Sequence, residues 1–184
     1  GISGDEDSSV FYYKSAIAIY REIDSPLDLA MAMKRLGSHY RWVGQLDTAS
    51  AIFNTCLGVF READYPYQLG STLLELAKLN QQLRRYDEAC RERDSTLQIA
   101  SSIGNTLLEG HTYLDFGVGH WSLNRFAEAK PCFETALRLL RANNDSACVA
   151  RTIHYIGEIH YEYAEYDSAE TCFLEALKMN REMG

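Results

Sequence analysis

The sequence predicts an all-α protein, a superhelix of about nine antiparallel helices. Three observations support this prediction. Residues recur at a fixed step of 40, each period holds two amphipathic helical patterns, and turn-forming residues separate the periods. A period of this size is typical of a solenoid, in which each repeat buries its apolar face against its neighbours.

The repeat is clearest at positions that must be small or aromatic. Leu36-Gly37 recurs 40 residues later in each repeat, and an alanine recurs at the same step in the second helix of each repeat. The equivalent pairs are Leu76-Ala77, Phe116-Gly117 and Ile156-Gly157, and the alanines are Ala49, Ala89, Ala129 and Ala169. Small residues at fixed positions indicate that the two helices of each repeat cross closely there.

Each repeat contains a first helix, A, and a second helix, B, because apolar residues recur at helical three- and four-residue spacing. The A helices are predicted at 27–43, 67–83, 107–123 and 147–163, and the B helices at 46–62, 86–102, 126–142 and 166–182. The organisation is then a tag or flexible lead-in at 1–9, helix B of a partial repeat at 10–25, and repeats at 26–65, 66–105, 106–145 and 146–184, all in one continuous domain. Turn residues separate the repeats at Asp24, Asp64, Gly104, Asn144 and Gly184.

One repeat departs from the pattern at the aromatic position of helix B. Phe53, Phe133 and Phe173 are expected to fill the gap between helices, but the second repeat has Arg93 there. We expect Arg93 either to extend its head group toward water or to find an acidic partner.

Composition narrows the class of function. The net charge of −8 argues against a direct nucleic-acid binder, which needs Lys and Arg to contact phosphates. The five cysteines are odd in number and lack CxxC pairing, which predicts a reducing, cytoplasmic location. No apolar run is long enough for a membrane span, so no membrane partner is expected.

The pattern of Leu36-Gly37, Tyr40, Ala49 and Phe53 resembles the tetratricopeptide repeat (TPR), and Phe116-Gly117 with Ala129, Phe133 and Ala136 repeats it. The period of 40 exceeds the usual 34, so each helix should be almost a turn longer. Such long repeats look similar to those of bacterial regulators fused to signalling ATPases, peptide-sensing regulators of Gram-positive bacteria and spindle-orientation adaptors. The resemblance implies a right-handed α-α superhelix whose A helices line a concave groove for a peptide or protein.

In the tetratricopeptide repeat family, certain positions of each A helix line the ligand-binding groove. The resemblance therefore predicts the groove lining of this chain. Its members are Lys34, Ser38, Arg41, Lys78, Gln81, His111, Leu114, Trp121, Arg151, His154, Glu158 and Tyr161. Three cations fall in the first two repeats, whereas aromatic and imidazole groups fall in the last two. We therefore expect a partner with an acidic segment over the early repeats and an apolar anchor near Trp121.

No motif predicts catalysis or a cofactor. Gly117-Val118-Gly119 lies inside a helical pattern and lacks the Lys-Ser/Thr of a phosphate loop, and no GxSxG or HExxH occurs. His154 and Glu158 have metal-ligand spacing on one helical face, and His111 could approach from the preceding repeat. Such helical pairs more often face solvent or a ligand, so no metal is expected.

The sequence therefore predicts a non-enzymatic protein- or peptide-binding module of a larger signalling, regulatory or scaffold protein. Two alternatives stay open. One is a ligand-responsive sensor domain of a multidomain transcriptional regulator or signalling ATPase. The other is a self-assembly module, in which exposed terminal helices form a homodimer.

Overall fold

The computed structural model describes the backbone of residues 3–183 and the side chains of residues 10–183. Gly1 and Ile2 of the predicted tag and the predicted turn residue Gly184 lie outside the described residues. The described chain forms nine helices and no strand: α1 (Ser3–Glu22), α2 (Pro26–Trp42), α3 (Leu46–Glu62), α4 (Pro66–Gln82), α5 (Tyr86–Ser102), α6 (Thr106–Ser122), α7 (Phe126–Ala142), α8 (Ser146–Glu162) and α9 (Tyr166–Met183).

The predicted A and B helices are confirmed to within about a residue at each end, while α1 differs from its prediction. Helix α1 begins at Ser3, ahead of the predicted start at residue 10.

A residue with positive φ ends each described helix from α1 to α8, at a spacing of 20 residues. These residues are Asp24, Gly44, Asp64, Arg84, Gly104, Asn124, Asn144 and Ala164. A left-handed residue after the last helical turn lets backbone N–H groups reach the carbonyls that the helix leaves unpaired. The turns between repeats are thus confirmed at Asp24, Asp64, Gly104 and Asn144.

The residues group into two compact units, Gly1–Ile99 and Ala100–Gly184, with the boundary inside α5. Among its described residues, unit 1 has three small apolar clusters, built around Phe53, Phe60 and Ile17. Unit 2 has one larger cluster in which α6, α7, α8 and α9 all contribute, with Phe133 fully buried. Each unit therefore has its own apolar core.

In three repeats the A and B helices pack by placing a phenylalanine ring against a glycine backbone. A Cβ on Gly117 would lie 2.5 Å from Cδ1 and Cε1 of Phe133. The same is true of Gly37 and Phe53 at 2.8 Å, and of Gly157 and Phe173 at 2.8 Å. Real Cβ atoms do not approach so closely, so these rings require glycine opposite them.

The exceptional second repeat changes both members of this pair. Ala77 replaces the glycine and Arg93 replaces the phenylalanine. Arg93 is 3% exposed, so it does not extend into water, and it donates to Oε1 of Gln81. Beside this pair Asn80 Nδ2 donates to both carboxylate oxygens of Glu92, at 2.9 and 3.0 Å. Hydrogen bonds thus replace part of the aromatic packing in this repeat.

The substitution Gly117→Ala tests the ring-on-backbone contact. We expect it to lower the free energy of unfolding by roughly 1–3 kcal/mol, because the buried Phe133 ring must shift from its packed position. The measurement is urea unfolding followed by circular dichroism. Gly58→Ala is the matched control, since nothing lies within 4 Å of the added Cβ. It should stabilise the protein by about 0.5–1 kcal/mol through helix propensity alone. Equal effects of the two substitutions would contradict the assignment.

Candidate functional site

The predicted lining of unit 1 forms a connected polar surface on α2 and α4, here called the unit 1 polar face. Its members are Lys34, Ser38, Arg41, Ser71, Glu75 and Lys78. Glu75 lies at its centre: Lys78 Nζ is 2.6 Å from Oε1, and Arg41 Nε donates to Oε2 at 3.2 Å. Ser38 Oγ adds a longer hydrogen bond of 3.3 Å to Oε2.

The contacts of Glu75 favour its charged form. Burial by itself raises the pKa of this carboxyl, but the charges of Lys78 and Arg41 and their hydrogen bonds outweigh burial and lower the pKa below 4.5. Both Glu75 and Arg41 are largely shielded, with side chains 18% and 19% exposed. Glu75 therefore neutralises part of the cationic surface that the sequence predicted.

The other predicted residues of unit 1 also have partners. Lys34 Nζ donates to Gln68 Oε1 at 2.7 Å and to Ser71 Oγ at 2.9 Å. Burial lowers the pKa of Lys34, and the nearby Glu75 charge opposes that shift. Gln81 accepts from Arg93 and so belongs to the interface between α4 and α5.

In unit 2 the structure corrects the prediction that Leu114 lines the groove, and it gives Trp121 a role in packing. Leu114 is 1% exposed and belongs to the apolar core, so it cannot line a surface. Trp121 is half-buried, and its ring meets Tyr155 edge-on at a centroid distance of 5.3 Å. Tyr155 in turn stacks on Phe133 at 5.2 Å. Trp121 therefore packs against other aromatic residues of unit 2 and is not an exposed anchor for a ligand.

Three predicted residues surround an open groove between α8 and α9, here called the α8/α9 groove. It has a volume of about 630 Å³, and Arg151, His154 and Glu158 form one edge. The remaining lining residues are Ala147, Ala150, Phe173, Ala176, Leu177 and Asn180. His154 Nε2 lies 3.5 Å from Glu158 Oε1, and the His154 ring lies 5.3 Å from that of Phe173. The groove thus has an apolar floor and a polar edge.

The two remaining predicted residues, His111 and Tyr161, lie elsewhere in unit 2. Tyr161 is exposed near the end of α8, with its ring 5.6 Å from that of Tyr166. His111 Nε2 lies 2.7 Å from Asp145 Oδ2. Asp145 precedes α8, and its Oδ1 accepts from the backbone N–H of Cys148 at 3.0 Å, which caps the helix.

These contacts form the His–Asp–Cys cluster, defined as His111, Asp145 and Cys148. One ligand atom from each lies within 4.8 Å of the others, and all three side chains are half-buried. Burial raises the pKa of Asp145, but hydrogen bonds from His111 and from Cys148 outweigh it and lower the pKa overall. The cluster combines imidazole, carboxylate and thiol groups at one place on α6 and the start of α8.

Sequence reasoning missed Glu75, Asp145 and Cys148, although a regular signal marks their contacts. Hydrogen bonds between neighbouring repeats recur at separations of 34 and 37 residues, as in Arg41 with Glu75 and His111 with Asp145. The period of 40 identifies equivalent positions in successive repeats. The side chain that a residue contacts in the next repeat lies three or six residues before its own equivalent position, which is one or two helical turns. Searching for charge pairs at these separations would have found Glu75 and Asp145.

The tetratricopeptide repeat family model matches residues 68–142 and 123–182, which together span more than half of the chain. The chain therefore belongs to the tetratricopeptide repeat family. No curated protein matches its sequence significantly. None of the described helices is both long enough and apolar enough to cross a membrane.

Solved structures share this fold at low sequence identity. BtubC from P. vanneervenii matches with a TM-score of 0.74 and 20% identity, covering 98% of this chain and 75% of that one. Aspartyl phosphate phosphatase F from Bacillus subtilis matches with a TM-score of 0.84 and 17% identity, covering 98% and 49%. A Rap protein complexed with competence and sporulation factor matches with 0.85 and 16%, covering 97% and 50%. The chain thus spans about half the length of the last two proteins, and the predicted all-α solenoid class is confirmed.

The substitution Glu75→Gln tests the unit 1 polar face. Because the folded pKa of Glu75 lies below 4.5, its charge stabilises the fold above that pH, and the contribution is lost as pH falls through the lower folded value. We expect Glu75→Gln to lower the free energy of unfolding by roughly 1–3 kcal/mol at pH 7. The difference from wild type should shrink below about pH 4.5 in urea unfolding experiments.

Glu175→Gln is the matched control for this measurement. Glu175 accepts from Arg141 at 3.0 Å, also at a separation of 34 residues, but its side chain is 47% exposed. Such an exposed ion pair contributes less than about 1 kcal/mol. A pH-independent effect of Glu75→Gln, or one no larger than that of Glu175→Gln, would argue against a stabilising role for Glu75.

Proposed function

We propose that this chain is a protein- or peptide-binding module of a larger regulatory or scaffold protein, and that the α8/α9 groove is its main binding surface. The observation that carries the proposal is the combination of a volume of about 630 Å³, an apolar floor and a polar edge in one place. This volume lies within the range of ligand sites in proteins, about 300–1,000 Å³.

The floor of the groove favours an apolar side chain of a partner. Ala150 and Ala176 are buried and small, while Phe173 is half-buried and aromatic. Leu177 is 44% exposed at the same groove, so a partner that covers it removes apolar surface from water. Burial of that kind provides most of the favourable free energy in peptide binding.

The edge of the groove favours an acidic group beside that apolar side chain. Arg151 is exposed, and its guanidinium donates to Cys148 Sγ at 3.6 Å, which leaves further N–H donors for a carboxylate. The nearby Glu158 carboxylate lies beside His154 and disfavours a second acid at that end. A peptide with one acidic and one apolar residue therefore fits best.

The unit 1 polar face is proposed as a second surface for acidic groups. Lys34, Arg41 and Lys78 provide three positive charges around the single carboxylate of Glu75. Because the cations are in excess, a partner carboxylate would be attracted although Glu75 already holds Arg41 and Lys78. This attraction is expected to depend on ionic strength, since these groups are only partly buried.

Binding of a factor by a related fold supports the proposal. The Rap protein that shares this fold is complexed with competence and sporulation factor. The present chain spans about half of that protein. We therefore propose a sensor role, in which the bound peptide would regulate a further activity, for the whole protein and not for this chain alone.

The binding proposal is tested with peptides selected from a random display library and then measured by fluorescence anisotropy. We expect selected peptides to pair Asp or Glu with Leu or Phe. Ala147→Trp, which fills the groove from an exposed position, should weaken binding more than about 10-fold. Arg151→Glu should weaken acidic peptides and favour their lysine-substituted counterparts.

Ala127→Trp is the matched control, since Ala127 is exposed at the second position of α7, as Ala147 is in α8. Ala127 does not line the groove. Equal binding by the Ala127→Trp and Ala147→Trp proteins would remove the groove assignment. If no peptide is enriched above an unrelated helical protein, the peptide-binding proposal itself fails.

Self-assembly is a second proposal, favoured by exposed apolar side chains on the terminal helices. Leu174 on α9 is 58% exposed, and Phe11 on α1 is 66% exposed. If these surfaces form a dimer, the mass measured by sedimentation should rise with protein concentration, and Leu174→Glu or Phe11→Glu should hold it at the monomer value. A constant monomer mass in the wild type would contradict assembly.

A further inference from the structure

We propose that the His–Asp–Cys cluster is a binding site for a divalent transition-metal ion, with Zn²⁺ as the best fit. The ligands are His111 Nε2, one oxygen of Asp145 and Cys148 Sγ. None of the three ligands lines the α8/α9 groove, although Arg151 contacts both sites. The proposal reverses the sequence-based expectation that the chain holds no metal.

The three ligand atoms already lie close to the separations that zinc requires. Zinc binds nitrogen and oxygen at about 2.0 Å and sulfur at about 2.3 Å, so tetrahedral ligand atoms lie roughly 3.3–3.7 Å apart. The cluster has all three atoms within 4.8 Å of one another, and His111 Nε2 is 2.7 Å from Asp145 Oδ2. Side-chain shifts of about 1 Å would therefore suffice to surround the ion.

The chemistry of the donors favours zinc over calcium or magnesium. Imidazole and thiolate are the ligands that zinc prefers, whereas calcium and magnesium take oxygen ligands. Three protein ligands leave the fourth tetrahedral position open, as in zinc sites where water or another exchangeable group binds. The side chains are half-buried, so an ion can enter from solvent.

The surrounding structure holds two of the ligands in place. Asp145 uses Oδ1 to cap α8 through the Cys148 N–H, which leaves Oδ2 directed to His111. Arg151 donates a guanidinium N–H to Cys148 Sγ at 3.6 Å, which orients the sulfur. Such outer contacts orient metal ligands and strengthen binding.

Two other cysteines, Cys56 and Cys172, are poorer metal ligands than Cys148. Cys56 is fully buried, burial raises its pKa to about 11, and its thiol donates to the Ala30 carbonyl. Burial also raises the pKa of Cys172. The same sequence positions of the preceding repeat hold Asn105 and Leu108 in place of Asp145 and Cys148, so the ligand set is not a general feature of the repeat.

The repeat itself supplies a fold-compatible test variant. Asn105 caps α6 as Asp145 caps α8, its Oδ1 accepting from the Leu108 N–H at 2.8 Å. Asp145→Asn should therefore preserve the helix while removing the carboxylate ligand. Cys148→Ala removes the sulfur, and Cys90→Ala removes an exposed thiol outside the cluster as the control.

The experiment titrates the chelator-treated, reduced chain with Co²⁺ alone, follows sulfur-to-cobalt charge-transfer absorption, and then displaces Co²⁺ with Zn²⁺. We expect one ion per chain, a thiolate absorption band, and its loss on adding Zn²⁺. Cys148→Ala should abolish the band, and Asp145→Asn should weaken Co²⁺ binding more than about 10-fold, since even outer-shell changes cost about 10- to 100-fold.

Cys90→Ala should leave the absorption and the affinity unchanged, and circular dichroism should show equal helicity in all variants. A band that persists in the Cys148→Ala protein, or disappears in the Cys90→Ala protein, would overturn the proposal. No binding of either ion by the folded wild-type chain would overturn it too. Because no peptide is present, none of these outcomes depends on the proposed peptide groove.

Discussion

The close contact between a phenylalanine ring and a glycine backbone is the interaction on which the repeat packing depends. The rings of Phe53, Phe133 and Phe173 each occupy space that a Cβ would need. The Phe53 and Phe133 rings are fully buried, so they cannot move aside without disturbing several neighbours, since protein interiors are close-packed. This contact sets the distance between helices A and B of a repeat. It therefore also sets the positions of the surface residues on both helices.

The second repeat shows what happens when the phenylalanine of this contact is absent. Where Arg93 replaces the phenylalanine, Ala77 replaces the glycine, because the requirement for an empty Cβ position is gone. The buried guanidinium then needs a hydrogen-bond acceptor, which Gln81 provides. Gln81 is thereby used in packing, although its repeat position suggested a role in ligand binding.

Neighbouring repeats form side-chain hydrogen bonds across their shared surfaces at separations of 34 and 37 residues. In unit 1 this geometry places Glu75 among Arg41, Lys78 and Ser38 and forms a largely satisfied polar face. In unit 2 the same geometry brings His111 to Asp145 at the start of α8, beside Cys148. One backbone arrangement thus yields an electrostatic surface in one unit and a cluster of metal-ligating groups in the other.

The sequence alone determined the helices, their turns and the family, because the 40-residue period, Gly37 with Phe53, and the turn at Asp64 are local signals that recur. It also identified Arg151, His154 and Glu158 as one helical face. Only the tertiary structure decided that Leu114 is buried, that Trp121 packs on Tyr155, and that Cys148 lies near His111. Periodicity identifies equivalent positions in successive repeats. Which side chains become neighbours depends on the offset between packed helices of different repeats, and the sequence of one repeat does not specify that offset.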